Sequence, residues 1–141
     1  MGENISWGWP TQVSSDAMSG WEGEVSNYTY STNTCTAVCG HYTQVVWATS
    51  TQVGCGFAAC SSFASFASYG AGDIWVCQYY PPGNWDGEKP YLTGSTSCSA
   101  CPTGYSCVNN LCVPRKNFLL HFALFPKCSS ESLATIFSLL S

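Results

Sequence analysis

An α+β fold stapled by disulfides is what the sequence predicts, and three observations predict it. Ten cysteines in 141 residues, with only 9% of positions charged, are the usage of an oxidising compartment, where disulfides persist and make up for a limited core. A segment with apolar residues at helical spacing is followed by segments rich in β-branched and aromatic residues. Beyond Tyr91 the composition turns to Cys, Gly, Ser, Pro and Asn, too little apolar material to fold without crosslinks.

Taken in order, residues 1–13 carry Trp7, Gly8, Trp9 and Pro10 and read as an irregular loop. Ser14, Ser15 and Asp16 are N-cap candidates, and Ala17, Trp21, Val25 and Tyr28 then recur every three or four residues, one face of a helix weakened by Gly20 and Gly23. Asn33 to Gly40 is a polar turn region holding Cys35 and Cys39. Tyr42 to Thr49, β-branched and aromatic, reads as a strand. A second strand is expected at Gln52 to Ala59, where Val53, Cys55, Phe57 and Ala59 alternate with smaller residues, and a third at Ile74 to Tyr80. Ser61 to Gly72 joins those two as a long hairpin loop, and Pro81-Pro82-Gly83-Asn84 stops the sheet.

Three units follow. Residues 1–92 form the main domain; residues 93–113, with Cys98, Cys101, Cys107 and Cys112, form a small disulfide knot. Residues 114–141 are a tail, read as disordered or as sequence foreign to the fold. Its two apolar patches, Phe118 to Phe125 and Leu133 to Leu140, are each too short to span a bilayer, so no transmembrane segment is expected.

Charge is uneven. Up to Cys112 the sole basic residue is Lys89, against Glu3, Asp16, Glu22, Glu24, Asp73, Asp86 and Glu88, whereas Arg115, Lys116 and Lys127 all fall in the tail. Nucleic acid is excluded as a partner, because phosphate binding needs a clustered basic face. Zinc-finger chemistry is excluded as well, since no CxxC pair is followed by a second pair or by paired histidines at finger spacing. Met1 runs straight into Gly2-Glu3-Asn4 with no charged start and apolar run. Disulfide usage without an export signal leads to the expectation that the natural polypeptide begins earlier and is extracellular.

The run Gly40-His41-Tyr42-Thr43-Gln44-Val45-Val46-Trp47 with Val53-Gly54-Cys55-Gly56, the run Trp75-Val76-Cys77-Gln78-Tyr79-Tyr80-Pro81-Pro82-Gly83-Asn84, and Gly2-Glu3-Asn4-Ile5 resemble, in the same order, the signatures of the CAP superfamily of cysteine-rich secretory proteins, antigen 5 and pathogenesis-related proteins. The resemblance covers residues 2 to 92, and Cys98 to Cys112 resembles the cysteine-rich hinge that follows the domain in some members. It implies a three-layer α-β-α sandwich lacking its first helix, since the family's helix before the Glu3 motif has no counterpart after Met1. It implies a polar cleft to which this chain contributes Glu3, Glu24 and His41, a second family histidine being missing; His121 lies in the tail.

The resemblance also implies disulfides between Cys35 and Cys39, Cys55 and Cys77, Cys98 and Cys107, and Cys101 and Cys112, leaving Cys60 and Cys128 unpaired. Sequence alone permits other pairings, Cys60 with Cys128 among them. His41, Glu3 and Glu24 are the candidate metal ligands, a weak set with one histidine; no cofactor is certain, and zinc is expected only of a longer form carrying the second histidine. The alternative role of His41 is to organise the cleft through hydrogen bonds to the two carboxylates.

For function, the resemblance implies non-catalytic binding of a sterol, a fatty acid or a protein receptor or channel, with the defence, venom-like or reproductive roles typical of the family. The alternatives are a cleft-based metal-dependent hydrolase and a structural or toxin-like interaction protein. Hydrolysis is disfavoured because no serine sits in a nucleophile-elbow pattern. Trp7, Trp9, Trp85 and the Phe63, Phe66, Tyr69 loop are candidate apolar binding surface. Of two glycosylation sequons, Asn4-Ile5-Ser6 and Asn27-Tyr28-Thr29, Asn27 is the expected acceptor.

Overall fold

Strand and helix alternate along the first half of the chain before two long paired strands complete the sheet. The computed structural model describes residues 1–61, 71–115 and 121–124. Strand β1 (Gly2–Gly8) leads into helix α1 (Ser14–Gly23) and a 3₁₀ turn (Glu24–Asn27); the two-residue strands β2 (Tyr28–Thr29) and β3 (Thr34–Cys35) pair as a small hairpin before helix α2 (Gly40–Val45). Strands β4 (Gln52–Cys60) and β5 (Gly72–Tyr80) follow, then β6 (Tyr105–Val108), β7 (Leu111–Pro114) and β8 (His121–Leu124).

The main sheet has the order β1-β5-β4-β8. β4 and β5 pair antiparallel from Gln52↔Tyr80 to Cys60↔Gly72, and β1 lies antiparallel on the free edge of β5, Gly2↔Tyr79 to Gly8↔Asp73. β8 lies parallel to β4, Gly54↔His121 to Phe57↔Leu124, so four residues of the tail belong to the sheet. The period of two puts Asn4, Cys55, Cys77 and Tyr79 on one face and Glu3, Gln78, Val76 and Ala58 on the other. α1 packs on the first face, where Ala17, Trp21, Cys77 and Tyr79 form a buried cluster flanked by Val45, Val53, Cys55 and Trp75. Ala58, Ile74 and Val76 are buried on the opposite face, so the central strands are covered on both sides, as a layered α+β fold requires.

Local chemistry explains why the elements fall where they do. Val13 is the N-cap of α1, one residue before the expected serines, and the Asp16 carboxylate accepts the Val13 amide at 3.2 Å, the acidic half of a capping box. The helix stops at Gly23; Val25, expected on the same apolar face, is half exposed in the 3₁₀ turn.

Two expectations about secondary structure are overturned. Residues 1–13 are not all loop, because β1 satisfies its backbone by pairing with β5 along seven positions. Tyr42 to Thr49 is not a strand: Gly40–Val45 is helical. β-Propensity loses there to tertiary hydrogen bonds. Glu24 accepts the first amides of the helix, Thr43 Oγ1 donates to Asn84 Oδ1 at 2.8 Å, and Gln44 is tied at both ends, its Nε2 donating to Ser50 Oγ and its Oε1 accepting from the Gly83 amide, both at 3.0 Å.

Residues 93–115 are built around the hairpin β6–β7. Asn109 and Asn110, at φ 48° and 66°, make a two-residue turn of the type that matches strand twist. All four disulfides implied by the family resemblance are formed: Cys35–Cys39, Cys55–Cys77, Cys98–Cys107 and Cys101–Cys112. Cys60 is not unpaired as expected; it is disulfide-bonded. The connectivity inferred by resemblance had left it without a partner, whereas sequence alone had allowed one in the tail. Cys128 itself, like Phe63, Phe66 and Tyr69, lies outside the described residues.

Candidate functional site

Glu24 is the residue at which α1 ends, and it reaches across to the start of α2. Its Oε2 accepts the backbone amides of His41 at 3.0 Å and Tyr42 at 3.1 Å, and its Oε1 pairs with His41 Nδ1 at 2.7 Å. The first amides of a helix have no partner within it, so a carboxylate there satisfies donors that would otherwise be orphaned and ties the two helices at one point. A carboxylate only accepts, which assigns the Nδ1 proton to His41 and leaves Nε2 as the free nitrogen of the neutral ring. The imidazole stacks on Trp21, centroids 6.4 Å apart and planes 17° from parallel, and its side chain is 37% exposed.

Asn4 holds this junction to the sheet. Its side chain is 1% exposed, and Nδ2 donates to the His41 carbonyl at 3.0 Å and to the Tyr79 hydroxyl at 3.2 Å. Burial pushes the Tyr79 phenol up to about 12, against the opposing pull of the Asn4 amide. The Asn4 sequon is therefore closed off inside the fold. Asn27, partly exposed at the end of the 3₁₀ turn, donates its Nδ2 to the Val38 carbonyl at 2.9 Å.

Of the three residues expected in one cleft, Glu24 and His41 come together and Glu3 does not join them. As the neighbour of Asn4 in a strand, Glu3 faces the other side of the sheet, exposed, and its Oε2 accepts from Gln78 Nε2 at 3.1 Å. The trio does not fit zinc, which draws three or four ligand atoms to about 2 Å from one point. Among the described residues, the one set of three ligand atoms within mutual reach is Cys98, Cys101 and Cys112, and each of those sulfurs is already in a disulfide.

Sequence reading missed the apolar feature beside the junction. Between α1 and the sheet lies a cavity of about 360 Å³ walled by Ala17, Met18, Trp21, Val53, Trp75 and Tyr79, with the Cys55–Cys77 disulfide on its floor. Trp21 belongs to both places: its ring stacks on His41 and it lines the cavity. The expected apolar surface of Trp7, Trp9 and Trp85 takes no part; those three indoles are 40%, 61% and 57% exposed. The signal that would have found the cavity is the alternation Val53, Cys55 on β4 and Trp75, Cys77, Tyr79 on β5, which puts these side chains on one face opposite Ala17 and Trp21.

Comparison with known proteins agrees with this architecture. Residues 7–79 match the model of the cysteine-rich secretory protein family, CAP. Over 103 residues the chain is 46% identical to peptidase inhibitor 16 of Mus musculus, covering 72% of this chain and 20% of that protein. It is 43% identical over 119 residues to glioma pathogenesis-related protein 1 of Mus musculus, 83% of this chain and 42% of the relative, and 46% identical over 90 residues to peptidase inhibitor 15 of Gallus gallus, 60% and 34%. The chain thus spans less than half the length of these relatives. With the family's region extending from the end of β1 to Tyr79 in β5 and the junction of Glu24 and His41 inside it, this chain belongs to the cysteine-rich secretory protein (CAP) family.

Proposed function

We propose that the chain is an extracellular, non-catalytic binding domain whose ligand is a small apolar molecule, a sterol or a fatty acid, held between α1 and the sheet. The observation that carries this reading is the cavity of about 360 Å³ with walls of aliphatic, indole and thioether groups. Sites for apolar ligands are concave and mostly apolar, with few polar groups to set orientation; here the polar residue of the lining is Ser14. The disulfides support an oxidising location. His41 argues for binding over hydrolysis. Its Nδ1 is held by Glu24, but among the described residues no serine or cysteine side chain is hydrogen-bonded to the ring, and a nucleophile needs such a base within reach.

Val53 lines the cavity from β4 and is only partly buried, so enlarging it fills the space without opening the core. Val53→Phe is expected to weaken binding of radiolabelled palmitate or cholesterol about tenfold, a loss of roughly one to two buried side-chain contacts, with the melting temperature preserved. A wild-type protein that binds neither probe, or a Val53→Phe variant that binds as well as wild type, rejects the reading. Peptide hydrolysis that disappears in His41→Ala would put the hydrolase in its place.

A further inference from the structure

We infer that the tip of the β6–β7 hairpin is a docking element for a lipid bilayer with anionic headgroups. Val108 and Leu111 face each other across the Asn109–Asn110 turn and are 48% and 68% exposed, an aliphatic pair at the tip of a disulfide-held hairpin. The pleat sorts the hairpin into two faces. Cys107 and Cys112 point one way, into the disulfides with Cys98 and Cys101; Val108, Leu111 and Val113 lie on the other. Arg115 continues that second face, because its amide donates to the Gly104 carbonyl at 3.0 Å and keeps the ladder extended. From Leu111 to Arg115 is about 13 Å at the usual strand rise, so an aliphatic tip buried roughly 5–10 Å, to the boundary of headgroups and acyl chains, leaves the guanidinium at headgroup level.

Charge complementarity selects the occupant. Residues 1–88 carry seven acids and no Lys or Arg, whereas residues 93–115 carry Arg115 and no acid; Lys89 lies over the Tyr30 ring in the body of the domain, and Lys116 and Lys127 lie outside the described residues. An acid-free hairpin that presents two aliphatic side chains and Arg115 on one face suits an anionic interface, which attracts such segments and rewards apolar insertion. A protein groove is a poorer match, since protein hot spots are built from Trp, Tyr and Arg in desolvated pockets rather than from two aliphatic groups at a turn. Two disulfides hold the hairpin before it docks, so little conformational freedom is lost on binding.

Co-sedimentation of the full chain with phosphatidylcholine vesicles, with and without phosphatidylserine, tests this. The expectation is binding to the phosphatidylserine vesicles that weakens with salt, falls tenfold or more in the double variant Val108→Ser, Leu111→Ser as two apolar contacts are lost, and falls about fivefold in Arg115→Gln. Leu111→Ile, which keeps the apolar surface, retains binding. A disulfide map of each variant confirms that the hairpin is intact. The inference is overturned if the wild type does not distinguish the two vesicles, if the double variant with its disulfides formed binds like wild type, or if binding is confined to cell surfaces and vanishes when surface protein is removed with trypsin.

Discussion

In the body of the domain, Asn4, Thr43 and Gln44 are buried and hydrogen-bonded, and Ala17, Trp21, Cys77 and Tyr79 pack into a buried cluster; in residues 93–115 not one residue with a described burial is buried, and two disulfides span the hairpin instead. The body has enough sheet to exclude water from both faces of β4 and β5, so its energy is distributed over side-chain burial and internal hydrogen bonds. The smaller module has no interior. Crosslinks that limit the freedom of the unfolded chain stand in for a core. The contrast implies that damage to one region should stay there, and that each region should fail through its own chemistry.

The largest effect tests that separation directly. Replacing Cys98, Cys101, Cys107 and Cys112 with serine removes loops of 9 and 11 residues, each worth about 2–3 kcal/mol, from a module with nothing else to hold it. Hydrogen exchange should show β6 and β7 losing all protection while β4 and β5 keep theirs. Loss of protection in β4 and β5 as well would mean that the body depends on the module, and the comparison would fail.

Next in size is a break in the polar hub of the body. Gln44→Ala removes the acceptor of the Gly83 amide and the donor to Ser50, and leaves a void where a 1% exposed side chain had been. An orphaned buried donor and a cavity together cost about 2–4 kcal/mol. Gly83 has no room for a side chain: a Cβ built on it would lie 2.5 Å from the Trp47 ring, so the loop sits hard against Trp47, just past α2. A shift in the denaturation midpoint worth less than half a kcal/mol would remove Gln44 from the account of what holds the loop to α2.

These two regions also differ in how much of them could be read from the sequence. Cysteine spacing and loss of apolar residues after Tyr91 announced the hairpin module, because a covalently held unit writes its restraints into composition. β4 was legible through alternation, and β5 was expected at Ile74 to Tyr80, close to its observed bounds. α2 was not, because its residues favour strands and the forces that make them helical, Glu24 on its first amides and Gly83 and Ser50 on Gln44, come from positions far away in sequence. Glu24 and His41 were found through motif resemblance, and Glu3 was placed with them by the same route; only the pleat, which sends Asn4 to the helices and Glu3 away from them, separates it.

A smaller effect belongs to high pH. Burial holds the Tyr79 phenol near 12 while the unfolded chain releases that proton near 10. Below pH 10 both states keep the proton and stability is flat with respect to this group. Between 10 and 12 the unfolded state binds fewer protons, so stability falls as pH rises, by about 2–3 kcal/mol in all. Tyr79→Phe should make the alkaline limb of the unfolding profile shallower without abolishing it, since burial pushes the Tyr91 phenol up to about 12 as well, and it does so at the cost of the bond from Asn4. Protection in β6–β7 should be indifferent to Tyr79→Phe. A profile equally steep with and without the substitution would show that another group carries the alkaline loss.

The smallest stability change is expected where the chemistry is most specific. In Glu24→Gln the side chain keeps its shape, and the amide can turn its oxygen to the His41 and Tyr42 amides as the carboxylate Oε2 does. What then faces the ring is an NH₂ group, a donor, where Oε1 had been an acceptor. His41 can keep a hydrogen bond there only by moving its proton from Nδ1 to Nε2. The loss of a charge-assisted bond should cost about 1 kcal/mol, but the ¹⁵N shifts of the two ring nitrogens should exchange character. An unchanged Nδ1–H tautomer in Glu24→Gln would mean that Glu24 does not set the proton's position, and its role would shrink to satisfying the backbone amides at the start of α2.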